Sequence, residues 1–189
     1  MRKVVSVIEK LPVWYGLGVI LLYSLLLAEF VSTFLHLFPY EEVFDNVFRV
    51  ILSISYAVNI LLGIIVWIIY ALLFHLMAML FGGQATFKRL LFASAYPYLI
   101  SACMVLVAIV LLGEVQPLIL GNSEELLIQN PTVQLTMKLL NYSFYPYYLI
   151  VAVLIRYIYQ INYIYATLSV AVPITAIWLV SELVKFSIK

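Results

Sequence analysis

Hydrophobic residues gather into five long runs, at about residues 13–38, 50–80, 92–112, 139–157 and 165–186. A helix that crosses a bilayer needs about 20 mostly apolar residues, and each run meets that length. Polar positions collect between them: an acidic linker at 39–45, a glycine turn at 82–86 and a polar loop at 113–136. The loop contains Pro117, Gly121, Asn122, Asn130 and Pro131, all turn formers. Backbone groups removed from water must pair within their own segment, so runs of this kind are predicted to be helices. The expected fold is all-α, a polytopic membrane helical bundle of about five transmembrane helices forming a single domain over 1–189. The second run, about 31 residues at ~1.5 Å each, outlasts a ~30 Å hydrocarbon core and must tilt or project from it.

The first run follows Arg2, Lys3 and Lys10, as the core of a signal peptide would. It continues past Ala28 to Phe38 with no small-x-small cleavage pattern, so an uncleaved first span is expected.

Composition agrees with that reading. The chain is 66% hydrophobic and 10% charged, against about 25% charged in soluble domains. So few charges could not cover the surface of a water-soluble fold. A net charge of +1 offers no basic field for nucleic acid. Cys103, the lone cysteine, can form neither an internal disulfide nor a cysteine-based metal site.

Charge placement sets an expected orientation. With the N-terminus inside, Arg2, Lys3, Lys10, Lys88, Arg89 and Arg156 lie inside, and Arg49, Lys138, Lys185 and Lys189 outside. Glu41, Glu42, Asp45, Glu114, Glu124, Glu125 and Glu182 then fall outside, with Glu9 inside. N-inside and C-outside, in the cell membrane, is the arrangement expected. Tyr157, Tyr159, Tyr163 and Tyr165 bracket the last connection, where amphipathic rings favour the headgroup level.

A short internal repeat crosses the middle spans: RLLFASAYPY from Arg89 to Tyr98, and KLLNYSFYPY from Lys138 to Tyr147. In the expected topology the two run antiparallel. Inverted repeats with interrupted helices build many transporter sites, whereas a small apolar alphabet also yields such matches by chance or as a shared packing solution.

Glu29 is the first candidate for chemistry. It stands roughly nine residues from Phe38, about 14 Å deep by helical rise. A carboxyl there costs at least ~2.5 kcal/mol and ordinarily faces the bundle interior or a wet cavity. It reads as a proton or cation site or, equally, as interhelical hydrogen-bond glue. Pro97 and Pro146 each free a carbonyl one turn earlier at comparable depth, so Glu29, Tyr96 and Tyr145 define a conceivable polar cluster. Pro173 does the same in the last span, and kinks that only shape the bundle are the plainer reading of all three. Asn59, Ser94 and Ser101 are interhelical hydrogen-bond candidates, and Ser94, Ser101 and Ala108 form a small-residue seam of period seven. His36 and His75 lie near opposite ends of their spans without a second histidine at ligand spacing, and no metal site is expected. Prenyl-endopeptidase-type proteases follow paired glutamates with an arginine. Here Glu41 and Glu42 meet Asn46 at that place, inside a linker. No nucleophile-and-base set or phosphate-cradling loop is visible, so neither catalysis nor a cofactor is expected.

The turn after the second run carries its own chemistry. Gly82 and Gly83 permit the positive φ that stops a helix, and Thr86 is placed to cap the next helix with its hydroxyl. Lys88 and Arg89 follow at the inner surface, where each cation is worth roughly 1 kcal/mol beside anionic lipid. They oppose the dipole of the helix they begin, so lipid or partner contact must outweigh that penalty. They serve either as a docking site for a headgroup or protein, or as a topology anchor.

The stretch from Trp67 to Ile100, WIIYALLFHLMAMLFGGQATFKRLLFASAYPYLI, resembles the Yip family of Ypt/Rab-interacting multi-pass membrane proteins, in its prokaryotic form. Its features are the turn Gly82-Gly83, the segment Thr86-Phe87-Lys88-Arg89, and Ala95-Tyr96-Pro97 on the following helix. Residues 161–172 resemble the family's final hairpin. The acidic, glycine-containing cytosolic motif of eukaryotic members has no counterpart here. The resemblance implies a non-enzymatic membrane scaffold or trafficking-type adaptor that binds partners through its cytosolic turns. The alternative is a small proton- or cation-coupled transporter centred on Glu29.

Overall fold

The computed structural model describes residues 8, 11–38, 45–116 and 124–188. The described residues form eight α-helices and no strand: α1 Val13–Leu35, α2 Asp45–Leu80, α3 Phe87–Ala95, α4 Tyr98–Gly113, α5 Glu124–Gln129, α6 Pro131–Tyr142, α7 Phe144–Tyr159 and α8 Tyr163–Ile188. Five stretches are long and apolar enough to cross a membrane: Val13–Leu35, Val50–Leu80, Phe87–Gly113, Pro131–Tyr159 and Tyr163–Ser187. The expected all-α fold with five spans is therefore what forms. Glu41 and Glu42, the loop residues Pro117, Gly121 and Asn122, and the terminal charges Arg2, Lys3, Glu9, Lys10 and Lys189 lie outside the described residues.

Two spans begin earlier than the hydrophobic runs predict. The third starts at Phe87 and the fourth at Pro131, so the polar loop is shorter than its composition suggests. Asn130 and Pro131 are helix starters here rather than turn residues. The Asn130 side chain accepts from the amides of Thr132 and Val133, at 2.8 and 3.4 Å. Pro131 occupies the first turn, where its missing amide hydrogen is not needed. The 36 residues of α2 extend about 54 Å, longer than the hydrocarbon core, as its apolar run requires.

The third and fourth spans are each built of two helices joined by a break of one or two residues. α3 gives way to α4 at Tyr96 and Pro97, and α6 to α7 at Ser143. Tyr96 and Ser143 keep right-handed helical dihedrals, so the backbone stays helical at those two residues. Pro97 directly precedes α4, and Pro146 falls in the first turn of α7. There a proline forfeits no helical hydrogen bond.

Two compact units divide the chain. Unit 1 comprises Met1–Leu17, Val66–Pro97 and Tyr147–Lys189, and unit 2 comprises Gly18–Ile65 and Tyr98–Pro146. In unit 1, α2 buries Trp67, Ala71, Phe74 and Ala78, a 4-3-4 spacing that marks one helix face. Ile68, Ile69, Leu72, Leu76 and Met79 on the same helix are exposed, as suits contact with lipid. Trp67 Nε1 donates to the buried Ser94 Oγ at 3.1 Å, so the indole hydrogen is satisfied away from water. Tyr70, Phe74 and Tyr148 join their rings at centroid separations of 5.8, 6.2 and 6.4 Å.

In unit 2, α4 packs on α6. Its buried residues Tyr98, Ser101, Ala102, Val105, Ala108 and Leu112 recur at three- and four-residue steps. Of the seam expected from the sequence, Ser101 and Ala108 are fully buried on α4, and Ser94, on α3 in unit 1, is fully buried too. Ser101 Oγ donates to the Ser143 carbonyl at 2.9 Å, inside the core. A hydroxyl on one helix thus serves a carbonyl at the break in another, as hydrocarbon demands. Tyr23 meets Tyr98 and Phe144 at 5.0 and 6.1 Å. Asn59 proves to be intrahelical: its amide donates to the Ser55 carbonyl at 2.8 Å, one turn back.

The repeat has a structural counterpart. Ser94 Oγ donates to the Leu91 carbonyl at 2.9 Å, and Ser143 Oγ, at the matching position, to the Leu140 carbonyl at 2.7 Å. Tyr98 and Tyr147, the last residues of the two copies, are both fully buried. The chain leaves unit 1 between Pro97 and Tyr98 and returns to it between Pro146 and Tyr147, the same step of each copy. The helix breaks themselves differ by about one half-turn in register, which a strict duplication would not produce.

Close packing in unit 2 generates a contrast between two glycines. A Cβ on Gly63 would lie 2.9 Å from Ser24 Cβ, whereas one on Gly18 meets nothing within 4 Å. Gly63→Ala is expected to cost about 1–3 kcal/mol through overpacking, while Gly18→Ala should be neutral or slightly stabilising. Ser101→Ala should cost about 0.6–1.7 kcal/mol. Denaturation midpoints of the full chain in detergent, followed by far-UV circular dichroism, check all three.

Candidate functional site

The turn after α2 is held by backbone hydrogen bonds first. Gly83 N donates to the Ala78 carbonyl and Gly82 N to the Met79 carbonyl, each at 3.0 Å. That pair of bonds is the Schellman arrangement, and Gly82 takes the positive φ of 83° that it requires. Gly83 serves a different purpose. A Cβ there would come within 2.7 Å of Tyr159 Cδ1 and 2.8 Å of the Ala78 carbonyl oxygen. Only a bare backbone can lie this close to the end of α7.

Tyr159 is buried under the turn, and its hydroxyl and His75 Nδ1 are hydrogen-bonded, 2.5 Å apart. The His75 ring also sits 5.5 Å from that of Phe87, the first residue of α3. His75 is therefore a packed partner of the turn and not a polar residue that merely ends a span. On the other side, Phe81 and Tyr165 stack nearly parallel at 5.1 Å. Asn162 caps α8 by accepting from Tyr165 N at 2.8 Å, and the Arg156 guanidinium lies 3.3 Å over the Tyr163 ring. The tyrosine belt read from the sequence thus includes one buried member, Tyr159, which braces the turn.

Thr86 stands at the N-cap of α3 with extended dihedrals, but its side chain makes no cap bond. The expected hydroxyl cap does not form; Arg89 N is met instead by the Thr86 carbonyl at 3.1 Å. Lys88 and Arg89 are exposed on the first turn.

Beside this turn lies a cavity of about 470 Å³. Its apolar lining comes from Ile8, Leu11 and Val13 on one side and Phe92 and Ala93 on the other. Thr86, Lys88, Arg89 and Tyr96 supply the polar lining. The Tyr96 hydroxyl donates to the Pro12 carbonyl at 3.3 Å and ties the start of α1 to the end of α3. Local spacing along the chain does not reveal the N-terminal side of this cavity, because about 75 residues separate its two walls.

The residues of the intramembrane polar set are divided between the two units. Glu29 is exposed, although its neighbours Ala28 and Phe30 are buried, so its side chain does not face the interior as expected. Helix α1 ends at Leu35, which places Glu29 about 9 Å from that end, shallower than its distance from Phe38 implies. Tyr145 is 61% exposed with its ring beside Tyr142. Among the described residues no hydrogen bond joins the side chains of Glu29 and Tyr145. Tyr96 and Pro97 belong to unit 1; Glu29, Tyr145 and Pro146 belong to unit 2. Among the described residues no cluster of three or more His, Cys, Asp or Glu side chains is placed to hold a metal ion.

The brace predicts a hierarchy. Gly83→Ala should be the most destabilising change at the turn, since one clash is with a backbone oxygen. Gly82→Ala should cost about 1–2 kcal/mol for a left-handed residue, and Tyr159→Phe about 1 kcal/mol for the lost hydrogen bond. Detergent denaturation midpoints of the three variants should fall in that order.

No family model, curated protein or solved structure matches the chain.

Proposed function

We propose that the protein is a multi-pass membrane protein of the Yip type, a non-enzymatic scaffold or trafficking-type adaptor of the cell membrane. Its N-terminus is inside and its C-terminus outside, and it docks a membrane or cytosolic protein partner through the turn from Gly82 to Arg89. One observation carries this reading: the turn is braced from below by Gly83 on Tyr159 and by the Tyr159–His75 hydrogen bond, while Lys88 and Arg89 are exposed on its outer side. A turn already held in one conformation loses little freedom on binding. Lys88, in the first turn of α3, runs against the helix dipole, a cost that an outside contact offsets. The transport alternative needs an enclosed polar site, and Glu29 on an exposed helix face supplies none.

A photo-crosslinking residue at the exposed position Gln84 should give a discrete adduct in native membranes. The double variant Lys88→Glu, Arg89→Glu should abolish it, and Glu29→Gln should leave it intact. An adduct indifferent to both cations would overturn the docking assignment.

Orientation is tested separately. In a Cys103→Ser background, Gln84→Cys should react with impermeant reagents only from the inner side and Glu114→Cys only from the outer. Labelling of both from one side is incompatible with the arrangement.

A further inference from the structure

The cavity beside the turn combines features that neither a protein-docking turn nor a topology anchor requires. Its volume, about 470 Å³, falls within the range of about 300–1,000 Å³ common for small-molecule sites. One part of its wall is aliphatic and aromatic, including Val13 and Phe92, and another carries Lys88, Arg89 and the Thr86 hydroxyl. That hydroxyl is not engaged in capping α3.

Placement adds a second constraint. Val13 opens the first candidate span and Phe87 the third, so both walls of the cavity stand at the ends of membrane-crossing helices. Trp14 and Tyr15, next along α1, are 79% and 63% exposed, which is how aromatic side chains sit at the headgroup level. A site there with a cationic rim and an apolar wall is complementary to an anion carrying hydrocarbon. A free inorganic anion would leave the apolar wall without a partner, and a neutral lipid would bring no charge to meet the Lys88 ammonium. The amino end of α3 also favours negative charge.

We infer that this cavity binds one anionic phospholipid, its phosphate between Lys88 and Thr86 and the upper part of an acyl chain along Val13 and Phe92. The inference does not require the adaptor reading: the two share Thr86, Lys88 and Arg89, but the wall at Ile8, Leu11 and Val13 takes no part in the turn. A bound lipid would offset the dipole penalty of Lys88 without any protein partner.

The test uses the full-length protein in vesicles of phosphatidylcholine containing a small fraction of photoactivatable phosphatidylglycerol. A matched set carries photoactivatable phosphatidylcholine instead. Phosphatidylglycerol should label the protein about tenfold more than phosphatidylcholine, with adducts mapping to Leu11, Val13 and residues 86–96. Lys88→Gln should weaken labelling about fivefold, the value of one basic group at an anionic surface. Val13→Trp, which fills the cavity from an exposed position, should abolish labelling there while leaving the Gln84 crosslink to a protein partner unchanged. Leu11→Trp provides the same obstruction should Val13→Trp not fold. Inorganic phosphate should not displace the lipid. Equal labelling by the two lipids, adducts scattered over the spans, labelling that survives both tryptophan variants, or displacement by phosphate alone would each overturn the assignment.

Discussion

A backbone amide or carbonyl in hydrocarbon has no water to bond with, and leaving one unpaired costs several kcal/mol. The architecture follows from that constraint. It forces each apolar run into a helix and permits interruption only where another group can serve the backbone. The break at Ser143 obeys this condition. Pro97 and Pro146 sit at the starts of the helices that follow, where an amide hydrogen is dispensable. The Ser143 carbonyl is served by Ser101 across the core of unit 2.

With lipid as apolar as the side chains themselves, helices gain little by hiding hydrophobic surface and must associate through close contact. The structure shows the consequence in small residues at tight places. Gly63 admits Ser24, and Gly83 admits the Tyr159 ring. Ala71 and Ala78 alternate with Trp67 and Phe74 on one face of α2, so large and small side chains interleave. Polar side chains follow the same economy of space: Ser94 accepts from Trp67 and donates to its own helix in one position.

The braced turn and the cavity beside it bring these elements to one place on unit 1. Glycine geometry sets where α2 stops, Tyr159 and His75 fix the turn, and α3 then begins with two cations. The start of α1, tied to α3 by the Tyr96–Pro12 hydrogen bond, closes the other wall of the cavity. A braced turn with exposed charge thus lies beside an apolar recess.

Much of this fold was legible along the chain. Runs of about 20 apolar residues admit one backbone solution in lipid, so the five spans follow from length and composition. Gly82 at the end of α2 and the burial of Ser94, Ser101 and Ala108 follow from local geometry and helical period. The starts at Phe87 and Pro131 were hidden because the first turns of α3 and α6 are polar enough to pass for loop. Which way Glu29 faces was undetermined as well: a helix apolar on nearly every side carries no stripe to set its rotation. Asn59 likewise turned to its own helix, a choice between two acceptors that spacing alone leaves open. Only the tertiary structure placed Tyr159 beneath Gly83, and Ile8, Leu11 and Val13 across a cavity from α3, because contacts between distant segments depend on how rods pack. Packing by shape complementarity, unlike hydropathy, is written in no single stretch of sequence.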